Sequence, residues 1–191
     1  MSDALRLFFA LPLPGTAVDA MLAAQQRARP LASRLAPRWT TPEQMHVTLK
    51  FLGSMPPESL PRLLEISEAR AGRAAPFDAT LARVTAFGGR RARVLVVELS
   101  TESPVLAELA AGLEDDVAEL GVARETRDFR PHVTLARFKH PGDARDVIDA
   151  AAIEPLPVRC EELRLYRSEL TPAGSRYSVV SSSALGLERL Q

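Results

Sequence analysis

The spacing of apolar residues changes period several times along the chain, and each change predicts an element. Residues 5–10, LRLFFA, form a short apolar run stopped by Pro12 and Pro14, which predicts a strand ending there. From Thr16, an N-cap by residue type, Val18, Met21, Leu22, Leu31 and Leu35 follow helical spacing, with Pro30 expected to kink or divide the helix. Residues 38–42 lead into an apolar strand from His46, followed by a turn over 53–57 and a helix carrying Leu60, Leu63, Leu64 and Ser67 on one side. Residues 77–87 and 93–99 predict two strands joined through Gly88 and Gly89. Ser103 and Pro104 open a helix striped by Leu106, Leu109, Leu113, Val117 and Leu120, ending near Gly121. After the polar stretch 124–128 a strand begins near Pro131. A turn at Pro141 and Gly142, a short helix around Val147 and Ile148, and strands near 158–167 and 176–183 complete the chain.

The order of elements repeats. Strand, helix, strand, helix, strand runs from Leu5 to Phe87 and again from Arg93 to about Arg167. The chain therefore reads as one domain, 1–191, made of two similar lobes over approximately 1–90 and 91–185. Adjacent hairpins predict an α+β class with mainly antiparallel sheets, and no Gly-rich phosphate loop or dinucleotide fingerprint argues for a doubly wound parallel sheet. Similar lobes packed about a pseudo-two-fold axis would bring equivalent strands to one central cleft.

Candidate chemistry sits on two of those strands. The tetrapeptide HVTL occurs at His46–Leu49 and again at His132–Leu135, in a chain with three histidines. Strand side chains alternate between faces, so His46 and Thr48 point to one side, as do His132 and Thr134, while the valines and leucines point to the other. One copy is most simply a strand with an incidental histidine. Burial accounts for the apolar positions of both copies, but it gives no reason to repeat imidazole and hydroxyl on the same face. Two such faces are what a two-histidine acid–base site requires.

Composition limits what that site can serve. Lysine plus arginine balances aspartate plus glutamate at 24 each, so the molecule lacks the basic excess of a protein that coats nucleic acid, and phosphate recognition must be local. Arginine supplies nearly all the cations, a bias shared with alanine-rich compositions and given little weight. Cys160 is the only cysteine, which excludes an internal disulfide and a cysteine-based zinc finger. The first residues lack the basic start and apolar stretch of a secretory signal, and no eighteen apolar residues run together, so a cytoplasmic protein with no membrane partner is expected.

The segments RW and HVTLKFLG (Arg38, Trp39, His46–Gly53) and FRPHVTLARF (Phe129–Phe138) resemble the two signatures of the 2H phosphoesterase superfamily, closest to the RNA 2′,3′-cyclic phosphodiesterases, also called 2′–5′ RNA ligases. The similarity extends to the opening RLFFAL and the late LRLYRSEL, and departs from the commonest form at Met45, where leucine is usual. The resemblance implies a bilobal fold with both histidines and both threonines in a central cleft, no metal and no other cofactor. It also implies a monomer acting on RNA with 2′,3′-cyclic phosphate ends or on small cyclic-phosphate nucleotides. By the same resemblance His46 is the proton donor and His132 the proton acceptor.

The chemistry fits those residue types. Opening a cyclic phosphodiester needs one group to take a proton from water and another to give one to the departing ribose oxygen, on opposite sides of phosphorus. Imidazole can serve either role near neutral pH. Thr48 and Thr134 can donate to the non-bridging oxygens. Lys50, which shares the parity of His46, could add cleft charge. Arg130 and Arg137 are candidate phosphate or RNA-backbone contacts, although strict alternation turns Arg137 away from His132 unless the strand ends or bulges between them. Trp39 and Phe129 could stack a terminal base, with core packing as the simpler use. A metal reading fails on ligands, since the second polar residue of each pair is threonine. Other readings are a 2H enzyme for a small cyclic nucleotide and an RNA-end binding module without turnover, the latter leaving two proton-transfer groups unexplained.

Overall fold

The computed structural model describes residues 4–172 and 174–186. Its elements are β1 (Leu5–Pro12), α1 (Gly15–Ala32), β2 (Pro37–Trp39), β3 (His46–Met55), α2 (Leu60–Arg73), β4 (Phe77–Phe87), β5 (Ala92–Ser100), α3 (Val105–Ala118), β6 (His132–Gly142), α4 (Arg145–Ala150), β7 (Leu156–Cys160), β8 (Glu162–Thr171) and β9 (Gly174–Ala184). Every strand pairing is antiparallel, in the order β7-β4-β5-β6-β3-β1-β8-β9, with β2 added to β6. The α+β class with antiparallel sheet is as the pattern predicts.

β3 and β6 meet at one residue pair, Val47 opposite Val133. Beyond that bridge they part. β2 becomes the neighbour of β6 over Phe138 to Ala136, while β3 continues along β1. The parting of the two motif strands opens the cleft. The sheet divides differently from the sequence, because β8 and β9 complete the half that contains β1 and β3, whereas β4 joins β5, β6 and β7 in the other. A cut near residue 90 separates strands that pair, and the chain's two ends build one half together. Helices α1 and α4 pack on each other, as do α2 and α3, and a core containing Phe9, Leu11, Leu63, Leu95, Leu135 and Leu165 lies between helices and sheet. No helix among the described residues is long and apolar enough to cross a membrane.

Several local expectations shift by a few residues, each for a physical reason. α1 starts at Gly15 rather than being capped by Thr16, because the Pro14 carbonyl accepts the N–H groups of Ala17 and Val18. Its buried face is Ala17, Met21, Ala24, Gln25, Ala28 and Ala32, and Leu31 is exposed. The inner face of that helix is mostly alanine, so the large residues do not mark it. Pro30 falls in the last turn, where it removes one helical bond, and the chain leaves through a short 3₁₀ turn at Ser33–Leu35. β3 runs on through Gly53, whose φ of 72° sits beside an irregularity in the pairing with β1, so the turn comes later, at Pro57–Ser59. β6 likewise runs through Pro141 to Gly142, and the run at 158–167 is two strands broken at Glu161.

One buried polar side chain ties these layers to the motif. Gln25 is 1% exposed, and its Nε2 donates to the carbonyls of Thr40 at 2.8 Å and Leu135 at 3.0 Å. Leu135 also accepts the Thr40 N–H at 2.9 Å. Gln25→Leu should cost about 1–3 kcal/mol, the penalty of leaving buried carbonyls short of donors, read as a lower urea midpoint. An unchanged midpoint would mean that this tie contributes nothing to the fold.

Candidate active site

Each motif strand carries one extra residue directly after its threonine. On β3 the pairing with β1 passes from Ala10–Thr48 to Phe9–Lys50, skipping Leu49. On β6 the pairing with β5 passes from Val96–Thr134 to Leu95–Ala136, skipping Leu135. These are β-bulges, and each inverts the side-chain parity of the residues after it. The fifth residue after each histidine thereby returns to the cleft face: Phe51 on β3 and Arg137 on β6. Strict alternation would place both on the far side. Both line the cleft, with His46, Thr48, His132 and Thr134 and with Arg38, Trp39, Thr40, Gln44, Ser175 and Tyr177.

The same bulge removes Lys50 from the site. Its side chain is buried on the helix side, where the ammonium donates to Glu114 at 2.6 Å and to the Ala123 carbonyl at 2.9 Å. The expectation of cleft charge at Lys50 is therefore corrected: it pins α3 and the following loop to β3. Arg130 and Phe129 do not line the cleft either. The Arg130 guanidinium lies 5.0 Å over the Phe87 ring and 3.3 Å from Glu98, and Phe129 is partly exposed outside. Trp39 does line it, with Arg29 stacked 5.0 Å over its ring and part of its surface on the core.

The two imidazoles have different surroundings. His46 is nearly buried inside aromatic rings, 4.9 Å from Phe8, 5.5 Å from Tyr166 and 5.4 Å from Tyr177 between centroids. Its Nδ1 has no hydrogen-bond partner. Burial first, then the charges of His132 and Arg137, push its pKa from the ordinary 6.5 down to about 4. His132 has Nδ1 2.7 Å from the Arg130 carbonyl and packs edge-on against Phe87 at 4.8 Å. A carbonyl only accepts, so that nitrogen carries the hydrogen and a neutral ring keeps its lone pair on Nε2. Burial lowers the His132 pKa, the Arg130 carbonyl bond opposes that, Arg137 and Arg130 lower it further, and Glu98 raises it. Two neutral rings share the cleft with Arg137, and among the described residues no carboxylate lines it. Among the described residues no group of three or more His, Cys, Asp or Glu could hold a metal ion.

Sequence reading missed Phe51, Tyr177, Gln44 and Ser175. Gln44 accepts from the Thr41 N–H at 3.1 Å and donates to the Ser175 carbonyl, joining the approach to β3 to the start of β9. Phe51 reaches the cleft through a bulge, Ser175 and Tyr177 through a strand far away in the chain, and Gln44 through the short turn before β3.

A family model described as the 2′-5′ RNA ligase superfamily matches residues 18–172. A Thermus thermophilus protein named RNA 2′,3′-cyclic phosphodiesterase is 34% identical over 189 residues, covering 95% of this chain and 90% of that protein. An Escherichia coli protein of the same name is 29% identical, covering 97% and 99%. Among solved structures, a Thermus thermophilus protein aligns with a TM-score of 0.81 at 33% identity, over 96% of this chain and 99% of that one. Escherichia coli LigT complexed with 3′-AMP aligns with a TM-score of 0.69 at 26% identity, over 95% and 98%.

The buried His46 ring makes a checkable titration. In the free protein its NMR pKa should lie well below 6.5, near 4, and should rise when inorganic phosphate is added, because an anion in the cleft favours the charged ring. Between 6.5 and about 4 the unfolded chain binds a proton that the native ring refuses, so fold stability should fall as pH falls across that window. A His46 that titrates at 6.5 and ignores phosphate would contradict this electrostatic picture.

Proposed function

The chain belongs to the 2′-5′ RNA ligase superfamily, and we propose that it hydrolyses RNA 2′,3′-cyclic phosphodiester ends to 2′-phosphomonoesters, as an RNA 2′,3′-cyclic phosphodiesterase. The observation that carries the reading is the convergence of both histidine–threonine pairs and Arg137 on one cleft. An aromatic enclosure on one wall and a carbonyl-fixed imidazole on the other suit two proton transfers of opposite direction.

The roles follow from those surroundings. His132, its Nδ1–H committed to the Arg130 carbonyl, offers Nε2 as the base that takes a proton from water. The water oxygen bonds to phosphorus in line as the bond to the 3′ oxygen breaks, and His46 supplies the proton that the oxygen gains. Thr48, Thr134 and Arg137 hold the non-bridging oxygens. In free protein His46 is neutral at pH 7; the phosphate of the arriving substrate favours its protonated form. The acid is thus charged by the substrate it will serve. A 5′-hydroxyl in place of water would give a 2′–5′ bond by the same step, as a minor activity. The same reading has the chain acting in the cytoplasm as a monomer, with Cys160 buried and free.

Turnover should survive EDTA, because side chains account for each proton and each charge in this scheme. Loss on chelation with recovery on one divalent metal would overturn it. His46→Ala and His132→Ala should each lose roughly 10²–10⁴-fold, the usual worth of one general acid or base. A substrate with sulfur in place of the 3′ oxygen, whose leaving group needs no proton, should restore much of the rate to His46→Ala and little to His132→Ala. Rescue of His132→Ala alone would reverse the two roles.

A further inference from the structure

We propose that Glu98 is a positioning residue for His132: its carboxylate anchors Arg130, whose backbone carbonyl fixes the imidazole, and places negative charge beside the ring that takes up the proton. This deepens the cyclic phosphodiesterase reading and rests on it. Glu98 on β5 is the cross-strand neighbour of His132 on β6. Its carboxylate accepts from the Arg83 Nε at 2.7 Å and from the Arg130 guanidinium at 3.3 Å, with the side chain 21% exposed. Next to it, the Pro131 carbonyl accepts the Leu99 N–H at 3.0 Å. Residues 130–131 are thus tied to β5 by one side-chain bond and one backbone bond, and the Arg130 carbonyl receives the His132 Nδ1–H at 2.7 Å. The Arg130 guanidinium also lies over the Phe87 ring, which packs on the His132 imidazole. Releasing Arg130 from Glu98 would loosen both the carbonyl and the ring that hold the imidazole.

The charge matters as well as the bond. A ring that takes a proton from water becomes an imidazolium, and most groups around His132 disfavour that form. Arg137 and Arg38 line the same cleft, Arg130 flanks the ring, and His46 and the Tyr177 phenol add no carboxylate. Glu98 supplies the opposing charge, and its field favours the imidazolium.

The placement suits an anionic substrate. Glu98 does not line the cleft, and Arg83 and Arg130 share its charge, so it supports the ring without contesting the place of the phosphate. On the other half the residue opposite His46 is Pro12, which can neither anchor an arginine nor carry charge. The carboxylate therefore stands beside the histidine assigned as base and not beside the one assigned as acid.

The test titrates His132 by NMR and measures turnover of uridine 2′,3′-cyclic phosphate in Glu98→Gln and in Arg83→Gln. Glu98→Gln should move the His132 pKa downward and lower kcat about three- to thirtyfold, a part of what one general base is worth, with KM within about twofold of wild type. Arg83→Gln breaks the same Arg83–Glu98 pair from its other end and leaves the carboxylate on Arg130, so it should move the His132 pKa upward with kcat no lower than wild type. Loss of that ion pair is common to both variants, and a purely structural role predicts shifts of one sign. Both variants should keep the wild-type circular dichroism. A His132 pKa or a kcat that ignores Glu98→Gln, or pKa shifts of one sign in both variants, would overturn the assignment of Glu98. A wild type that hydrolyses no cyclic phosphate would instead overturn the phosphodiesterase reading, and the two titrations would still decide whether Glu98 acts on His132.

Discussion

Which side chains join the two histidine–threonine pairs in the cleft depends on one extra residue directly after the threonine of each motif strand. Without the bulges at Leu49 and Leu135, parity would bring Lys50 and Ala136 toward the cleft and send Phe51 and Arg137 into the helices. A buried arginine there would need a new partner, and Lys50 would lose Glu114. The bulges are held from behind. On β6 the carbonyl of the extra residue is taken by the Thr40 N–H and the Gln25 side chain. On β3 the residue following the extra leucine is Lys50, anchored on Glu114 and the Ala123 carbonyl. Packing and hydrogen bonding beneath the sheet thus decide which side chains meet a ligand above it.

The electrostatics of the cleft follow from that selection. Arg137 enters, Lys50 leaves, and among the described residues no carboxylate lines the cleft. The resulting positive field and the burial of His46 both oppose a charged imidazole in the free protein. An unpartnered Nδ1 in an aromatic enclosure is costly for a fold. Under the proposed function, an arriving anion would meet preorganised donors without displacing a competing protein carboxylate, and the same anion would make protonation of His46 favourable. Stability and function pull in opposite directions at this one ring.

Much of the fold is legible in the sequence because it rests on period. The alternating runs of β4 and β5, the stripe of α3 and the pair of motif strands are each written locally. The doubled HVTL is enough to place two imidazoles and two hydroxyls on corresponding faces. Hidden from the sequence is whatever a period cannot encode. A bulge leaves no residue signature in LKF or ARF, so alternation alone turns Lys50 toward the cleft and Phe51 away from it. The buried face of α1 is mostly alanine, which hydropathy ranks below the exposed Leu31. Tyr177 and Ser175 join the cleft through β9, a strand whose partners are set by the whole sheet. The division of the sheet is hidden for the same reason, since pairing of β1 with β8 bridges nearly the full chain.

Quasi-equivalent positions explain how a doubled motif comes to sit in two unlike surroundings. Counted outward from the β3–β6 bridge, β3 corresponds to β6, β1 to β5 and β8 to β4. His46 then corresponds to His132, and their cross-strand neighbours are Pro12 and Glu98. Tyr166 corresponds to Phe87, and each packs its ring on the imidazole of its own half. The aromatic support is shared, but the polar support differs. His132 has a backbone carbonyl on Nδ1 and Glu98 opposite, whose charge raises its pKa. His46 has a proline opposite and rings on its remaining sides, which leave the ring neutral until charge arrives from outside. A perfectly symmetric pair would hold two identical rings, each as good a base as the other, and hydrolysis needs one of each kind. The asymmetry is carried by neighbours outside the two tetrapeptides, so two like motifs sit in unlike surroundings, which is what the proposed division of roles requires.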